Sequence, residues 1–241
     1  MAGNCVSFYH HWVIAFLLGL AALPSAASAA DVDLLLLLAV DASGSVEEDE
    51  YALQLRGIAA GFRDPEVREA IRSGPVGRVA VDLLTWAEPR VPKDQTGWHV
   101  LADDRDAEAF ARLVEGLPRS QNGATGLGEG IAAAVRAITG SGLSASRSVI
   151  DVSGDGEETP ARDIVVQLPQ ARIMAQSFGI IINGLAIENE ATSLRLYYRD
   201  KLISGPGSFV MAVRRYEDFA EAMRRKLLRE FRDRPEMSQL Q

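Results

Sequence analysis

Residues 31–50, DVDLLLLLAVDASGSVEEDE, constrain the fold more than any other stretch of the chain. Leu34 to Val40 are consecutive apolar residues with no polar side chain among them. Successive side chains of a strand point to opposite faces, so an unbroken apolar run needs cover on both. That pattern belongs to a central strand of a parallel sheet, where crossover helices lie on either face. The run then stops on Asp41-Ala42-Ser43-Gly44-Ser45 and the acids Glu47 to Glu50. A carboxylate and two hydroxyls at a buried strand end admit two readings. Either they cap the next helix, since Asp and Ser are favoured N-caps, or they form part of a cation site.

The rest of the chain alternates in the same manner. Tyr51, Leu55, Ile58 and Phe62 recur on one helical face, with acids in or before the first turn, where they complement the helix dipole. Arg78–Trp86 reads as a second strand and Trp98–Leu101 as a short edge strand. Asp104 or Asp106 is expected to cap a helix carrying Phe110, Leu113, Val114 and Leu117. Leu127, Ile131, Val135 and Ile138 mark a helix after the loop at 123–126. Strands are expected at Ser148–Val152, Gly179–Ile187 and Phe209–Val213, and helices at Ile164–Phe178 and Thr192–Ile203. Phe219, Met223, Leu227 and Phe231 give a last amphipathic helix that ends before Pro235. Arg224, Arg225, Lys226 and Arg229 on it read as a solvated face. The sum is an α/β fold: a doubly wound, mostly parallel central sheet, helices on both faces and one antiparallel edge strand.

Residues 1–29 contain no Asp, Glu, Lys or Arg, and Trp12–Leu23 is apolar over a length typical of a signal peptide rather than a membrane span. Ala27-Ser28-Ala29 offers the small residues of a cleavage site. The expected organisation is therefore a signal peptide at 1–29, one domain at 30–234 and a flexible tail at 235–241. An uncleaved anchor is the alternative for the leader. Cleavage would leave a periplasmic or secreted protein with no stable membrane insertion. It would also leave no thiol, because Cys5 is the only cysteine, so disulfides and thiolate metal sites are excluded. A net charge of −8 argues against nucleic acid as a partner.

Ligands of doubly wound sheets gather at the carboxyl ends of the strands. Three loops there are rich in oxygen: Asp41, Ser43 and Ser45 in the first; Thr125 in Asn122-Gly123-Ala124-Thr125-Gly126; and Asp155 in Ser153-Gly154-Asp155-Gly156. Oxygen donors without His or Cys suit a hard cation, Mg²⁺ first and then Mn²⁺ or Ca²⁺. Thr125, like the first triplet, also reads as a helix cap. Asp151, inside a strand, competes with Asp155, and Glu157 and Glu158 read as solvated loop acids.

Asp-x-Ser-x-Ser after a buried strand, Gly-x-Thr before a helix and Asp-Gly at a strand end together resemble the metal-ion-dependent adhesion site of von Willebrand factor A-like domains. Within that superfamily the chain looks similar to a bacterial group known only as a domain of unknown function. The resemblance implies that Ser43, Ser45 and Thr125 bind the ion through hydroxyls and that Asp41 and Asp155 act directly or through water. It further implies that a protein partner supplies an Asp or Glu as the last ligand. The expected function is a divalent-cation-dependent protein-binding module. A metal-assisted hydrolase of phosphate or ester substrates, with Asp155 or Glu157 activating water, is one alternative, and a metal-free interaction scaffold is another. The chain holds no Gly-x-Ser-x-Gly and no His-Glu-x-x-His, and His99 is its only histidine outside the leader, which favours binding over catalysis.

Overall fold

The computed structural model describes residues 1, 31–160, 164–189 and 192–232. The leader and the tail after the last helix lie outside the described residues.

The apolar run forms β1 (Asp31–Asp41), and the sheet grows from it in both directions. On one side lie β2 (Val79–Trp86) and two short pieces, β3 (Asp94–Gln95) and β4 (His99–Leu101). On the other lie β5 (Ser144–Gly154), β6 (Ile181–Ile187) and β7 (Val210–Val213). The order is β3-β2-β1-β5-β6-β7, with β4 also against β2. β1, β2, β5, β6 and β7 are parallel, while β3 and β4 run antiparallel to successive stretches of β2. The expected single edge strand is thus split in two.

The helices are α1 (Glu48–Arg63), α2 (Pro65–Arg72), α3 (Asp104–Glu115), α4 (Leu127–Thr139), α5 (Leu168–Ser177), α6 (Leu194–Tyr197) and α7 (Phe219–Arg232). The last turn of α6 continues as a π-helical turn, Tyr198–Leu202, closed by the Ile203 N–H on the Tyr198 carbonyl at 3.0 Å.

β1 explains the two-sided core. Leu34, Leu36, Leu38 and Val40 pack with Tyr51, Ile58 and Phe62 of α1, Phe110 of α3, and Phe219, Met223 and Leu227 of α7. Leu35, Leu37 and Ala39 face Ile131 and Val135 of α4, Leu168 of α5, and Tyr198 and Leu202. All five leucines are 3% exposed or less. Burying a leucine is worth about 1.5–3 kcal/mol, so this strand is a large share of the driving force. On the first face α1 lies against α7 at positions that lack side chains. A Cβ on Gly57 would come within 2.7 Å of Phe219, and one on Gly61 within 2.7 Å of Leu227.

Several expectations are corrected. The cap of α3 is Asp103, not Asp104 or Asp106. Asp103 accepts the N–H groups of Arg105 and Asp106, and Asp106 reciprocates on the Asp103 N–H at 3.2 Å. The helix expected from Ile164 starts only at Leu168. Gln167 and Gln170 exchange capping bonds there, Pro169 occupies the first turn, and Ile164 stands free in solvent. The segment expected as Thr192–Ile203 is helical only over 194–202. α2 follows an Asp64 cap and Pro65, a start signal unused in the sequence reading. Lys226 does not belong to a solvated face: it is fully buried, with its Nζ 3.0 Å from Asp151 and 3.7 Å from Glu230.

Candidate metal centre

β1 and β5 are adjacent, in a register that pairs Leu38 with Asp151 and Val40 with Ser153. Their carboxyl ends therefore arrive together and bring Asp41 and Asp155 to one rim. The polypeptide after each strand is held by a small set of bonds. Asp41 Oδ1 accepts the Ser43 N–H at 2.8 Å, turning the chain sharply. Ser43 Oγ lies 3.2 Å from Ser45 Oγ, and Ser45 Oγ donates to Asp155 Oδ1 at 2.7 Å. The Gly44 N–H reaches the Gly123 carbonyl at 2.8 Å. Thr125 and Thr159 exchange two bonds: the Thr159 N–H to the Thr125 carbonyl, and the Thr125 N–H to Thr159 Oγ1. The Thr125 side chain faces the Asp155 loop, since a Cβ on Gly156 would sit 3.3 Å from its Oγ1. All five residues singled out in the sequence thus lie in three mutually stitched loops at one end of the sheet.

None of them caps a helix. α1 is capped by Glu47, whose N–H is held by Glu50 at 2.8 Å, and Gly126, not Thr125, occupies the cap position of α4. Asp151 lies within β5 and faces α7, away from the rim.

The rim is buried and negatively polarised. Asp41, Ser43, Thr125 and Asp155 are buried, while Ser45 is exposed and opens the site to solvent. Burial, and after it the Asp155 charge, pushes the Asp41 carboxyl up to about 7, against the opposing Ser43 hydrogen bonds. Each carboxylate has one oxygen engaged within the loops. The other, Asp41 Oδ2 and Asp155 Oδ2, is buried without a hydrogen-bond partner. Among the described residues no Lys, Arg or His forms an ion pair with either. Arg119 braces the first loop, its Nη2 donating to the Ser43 carbonyl at 2.9 Å rather than to Asp41 or Asp155.

Sequence reasoning missed the supporting groups. Gln54 on α1 is fully buried, donates to the Asp41 carbonyl at 3.2 Å and accepts from Ser153 Oγ at 3.4 Å. Its place on the apolar stripe, one residue before Leu55, was the available signal. Glu158 is not a solvated acid. It accepts the N–H groups of Gly128 and Leu168 at 2.9 and 3.0 Å, near the starts of α4 and α5. Tyr198 and Tyr216 bury hydroxyls at either side of the rim.

Two orphaned, buried carboxylate oxygens with three hydroxyls close by fit a hard divalent cation, which takes oxygen ligands and tolerates a mixed shell of protein and water. No group of three or more His, Cys, Asp and Glu side chains gathers among the described residues, so a nitrogen- or thiolate-rich centre is not offered here.

This sheet order and two-sided helical cover are those of the von Willebrand factor A-like fold. The chain belongs to the family described as protein of unknown function DUF1194, whose model matches residues 31–235. No curated protein matches the sequence at a significant level. Among solved structures, the von Willebrand factor domain of the type V pili tip protein Mfa5 from Porphyromonas gingivalis is similar at 12% identity and TM-score 0.57, covering 87% of this chain and 99% of that one. The pilus adhesin SpaC from Lactobacillus rhamnosus GG is similar at 12% identity and TM-score 0.59 over 83% of this chain. Proximal thread matrix protein 1 of the mussel byssus, in a structure with a zinc-occupied metal-ion-dependent adhesion motif, is similar at 12% identity and TM-score 0.58 over 84%. The match spans 31% of the SpaC chain and 48% of the byssus chain. At these identities the likeness is one of fold. Among the described residues no helix is long and apolar enough to cross a membrane.

Proposed function

We propose that Asp41, Ser43, Ser45, Thr125 and Asp155 hold a divalent cation, Mg²⁺ by preference, and that the ion captures an Asp or Glu side chain of a protein partner. One observation carries the reading: Asp41 and Asp155 are buried side by side, each with an unpartnered oxygen and, among the described residues, no cationic side chain paired with it. Uncompensated buried charge is expensive, and a bound cation removes that cost. Ser43, Ser45 and Thr125 would coordinate through hydroxyls and the aspartates directly or through water. Exposed Ser45 marks the side from which a partner carboxylate would complete the shell. The zinc-bearing motif of the byssus protein supports divalent-cation use in this fold. The adhesin and pilus-tip neighbours support a binding role, and with the apolar leader they support a periplasmic or secreted setting.

The test is thermal unfolding with EDTA and with Mg²⁺, Mn²⁺ or Ca²⁺. Wild type should gain stability with the cation, whereas Thr125→Ala and Ser43→Ala should unfold as wild type does in EDTA and gain nothing. A wild-type protein indifferent to all three ions would remove the reading.

A further inference from the structure

The Tyr198 hydroxyl near the rim is fully buried and has no hydrogen-bond partner, although burial of a phenol without a hydrogen bond is unfavourable. Tyr198 packs in the core under α4 and α5. Tyr198 opens the π-helical turn, an extra-residue insertion that re-aims a side chain and recurs at functional sites.

The Tyr198 phenol looks onto one of the two orphaned carboxylate oxygens. A Cβ on Gly154 would meet Asp41 Oδ2 at 2.7 Å and the Tyr198 hydroxyl at 2.9 Å, so the missing side chain leaves one gap that the two oxygens share. Burial, and after it the Asp41 charge, raises the Tyr198 phenol well above its usual range. Two buried oxygens without partners therefore meet across one gap at the rim.

We infer that Tyr198 is a positioning residue of the cation site, clamping Asp41 Oδ2 directly or through one water. This rests on the cation reading above. A phenol is a neutral donor, so it fixes a carboxylate without competing for the metal's charge as a lysine or arginine would. Gly154 is the opening through which Tyr198 reaches Asp41. The arrangement predicts a distinction that a packing role does not produce. Removing a partnerless buried hydroxyl should leave metal-free stability unchanged or raise it, whereas removing a donor to a ligand should weaken metal binding.

The experiment compares wild type and Tyr198→Phe by Mg²⁺ titration calorimetry, melting in EDTA, and the near-ultraviolet difference spectrum on Mg²⁺ addition. The variant should melt in EDTA at or above the wild-type temperature and bind Mg²⁺ about tenfold more weakly, the scale of one lost bond to a charged group. Its phenol difference band on Mg²⁺ addition should be smaller than that of wild type. If wild type binds Mg²⁺ and the variant binds it equally well, the inference is overturned while the cation site stands. If the variant melts well below wild type in EDTA, the hydroxyl is structural and the inference again fails. If wild type binds no Mg²⁺, both readings fall together.

Discussion

Asp151 and Asp155 stand four residues apart, one within β5 and one just past its end, and both are buried. Their surroundings differ in one respect. Asp151 faces α7, where Lys226 lies 3.0 Å away with its ammonium 4.4 Å from the Phe209 ring. Glu230, fully buried beside it, accepts Asn183 Nδ2 at 2.6 Å and pairs with Arg147 at 3.5 Å. Every charge in that network meets an opposite one from the chain. Asp155 faces Asp41, a second acid, and the described residues supply no cation to either. Among the described residues, the chain thus pairs one buried acid with its own cation and leaves the neighbouring pair of acids without one. Under the proposed reading, that is the difference between an internal staple and a binding site.

The contrast breaks most visibly at Lys226. Lys226→Met should destabilise the protein by about 3–5 kcal/mol in urea unfolding, because Asp151 is left charged and unpaired in the core. Lys226→Met with Asp151→Leu should recover most of that loss, since an apolar pair of similar volume replaces a buried ion pair at little or no cost. If the double variant is as weak as the single, α7 is held by something other than this pair. Asp155→Asn should behave in the opposite way. In EDTA it should unfold no more easily than wild type, because a like-charge neighbour of Asp41 is gone. It should also forfeit the Mg²⁺ gain, about 2.7 kcal/mol for wild type at a hundredfold excess over Kd. A loss in EDTA as large as that of Lys226→Met would erase the distinction between the two aspartates. Gly154→Ala comes next. Its methyl would displace Asp41 Oδ2 and the Tyr198 hydroxyl, at a cost of about 1–3 kcal/mol by thermal unfolding.

The same contrast shows what could be read from the sequence. β1, α1, α4 and α7 were legible because their apolar residues repeat with a clean period, and the three rim loops were legible because each follows a buried strand or precedes a helix. Lys226 was misread because neighbouring Arg224, Arg225 and Arg229 suggested a polar face. Its spacing from Met223 and Phe219, with Glu230 four residues on, places it on the buried stripe all the same. Asp151 and Asp155 could not be ranked from composition. That required the β1–β5 register and a helix packed on one face, both long-range facts. Tyr198 was out of reach for another reason: a π-turn shifts the face of every residue in it, and nothing in Leu194–Leu202 announces the shift.

A last expected effect separates the two acidic regions by pH. In the absence of metal, Asp41 titrates near 7 in the folded chain, raised first by burial and then by Asp155, against an ordinary value near 4 when unfolded. The folded state thus holds a proton that the unfolded state has released between those values. Its contribution to stability is complete below about pH 4 and is lost as the pH rises through 7, with a slope of at most about 1.4 kcal/mol per pH unit. Asp151 is raised in the same direction by burial, with Lys226 pulling back. Saturating Mg²⁺ should reverse the dependence at Asp41 alone, because the ion requires the carboxylate and competes with the proton. Urea unfolding of wild type and Asp41→Asn from pH 5 to 8, with EDTA and with Mg²⁺, resolves the two. Wild type in EDTA should lose stability across the range, Asp41→Asn should lose less above pH 6, and Mg²⁺ should stabilise wild type more at pH 8 than at pH 5. A Mg²⁺ effect of equal size at both ends would mean that the ion binds somewhere other than beside Asp41.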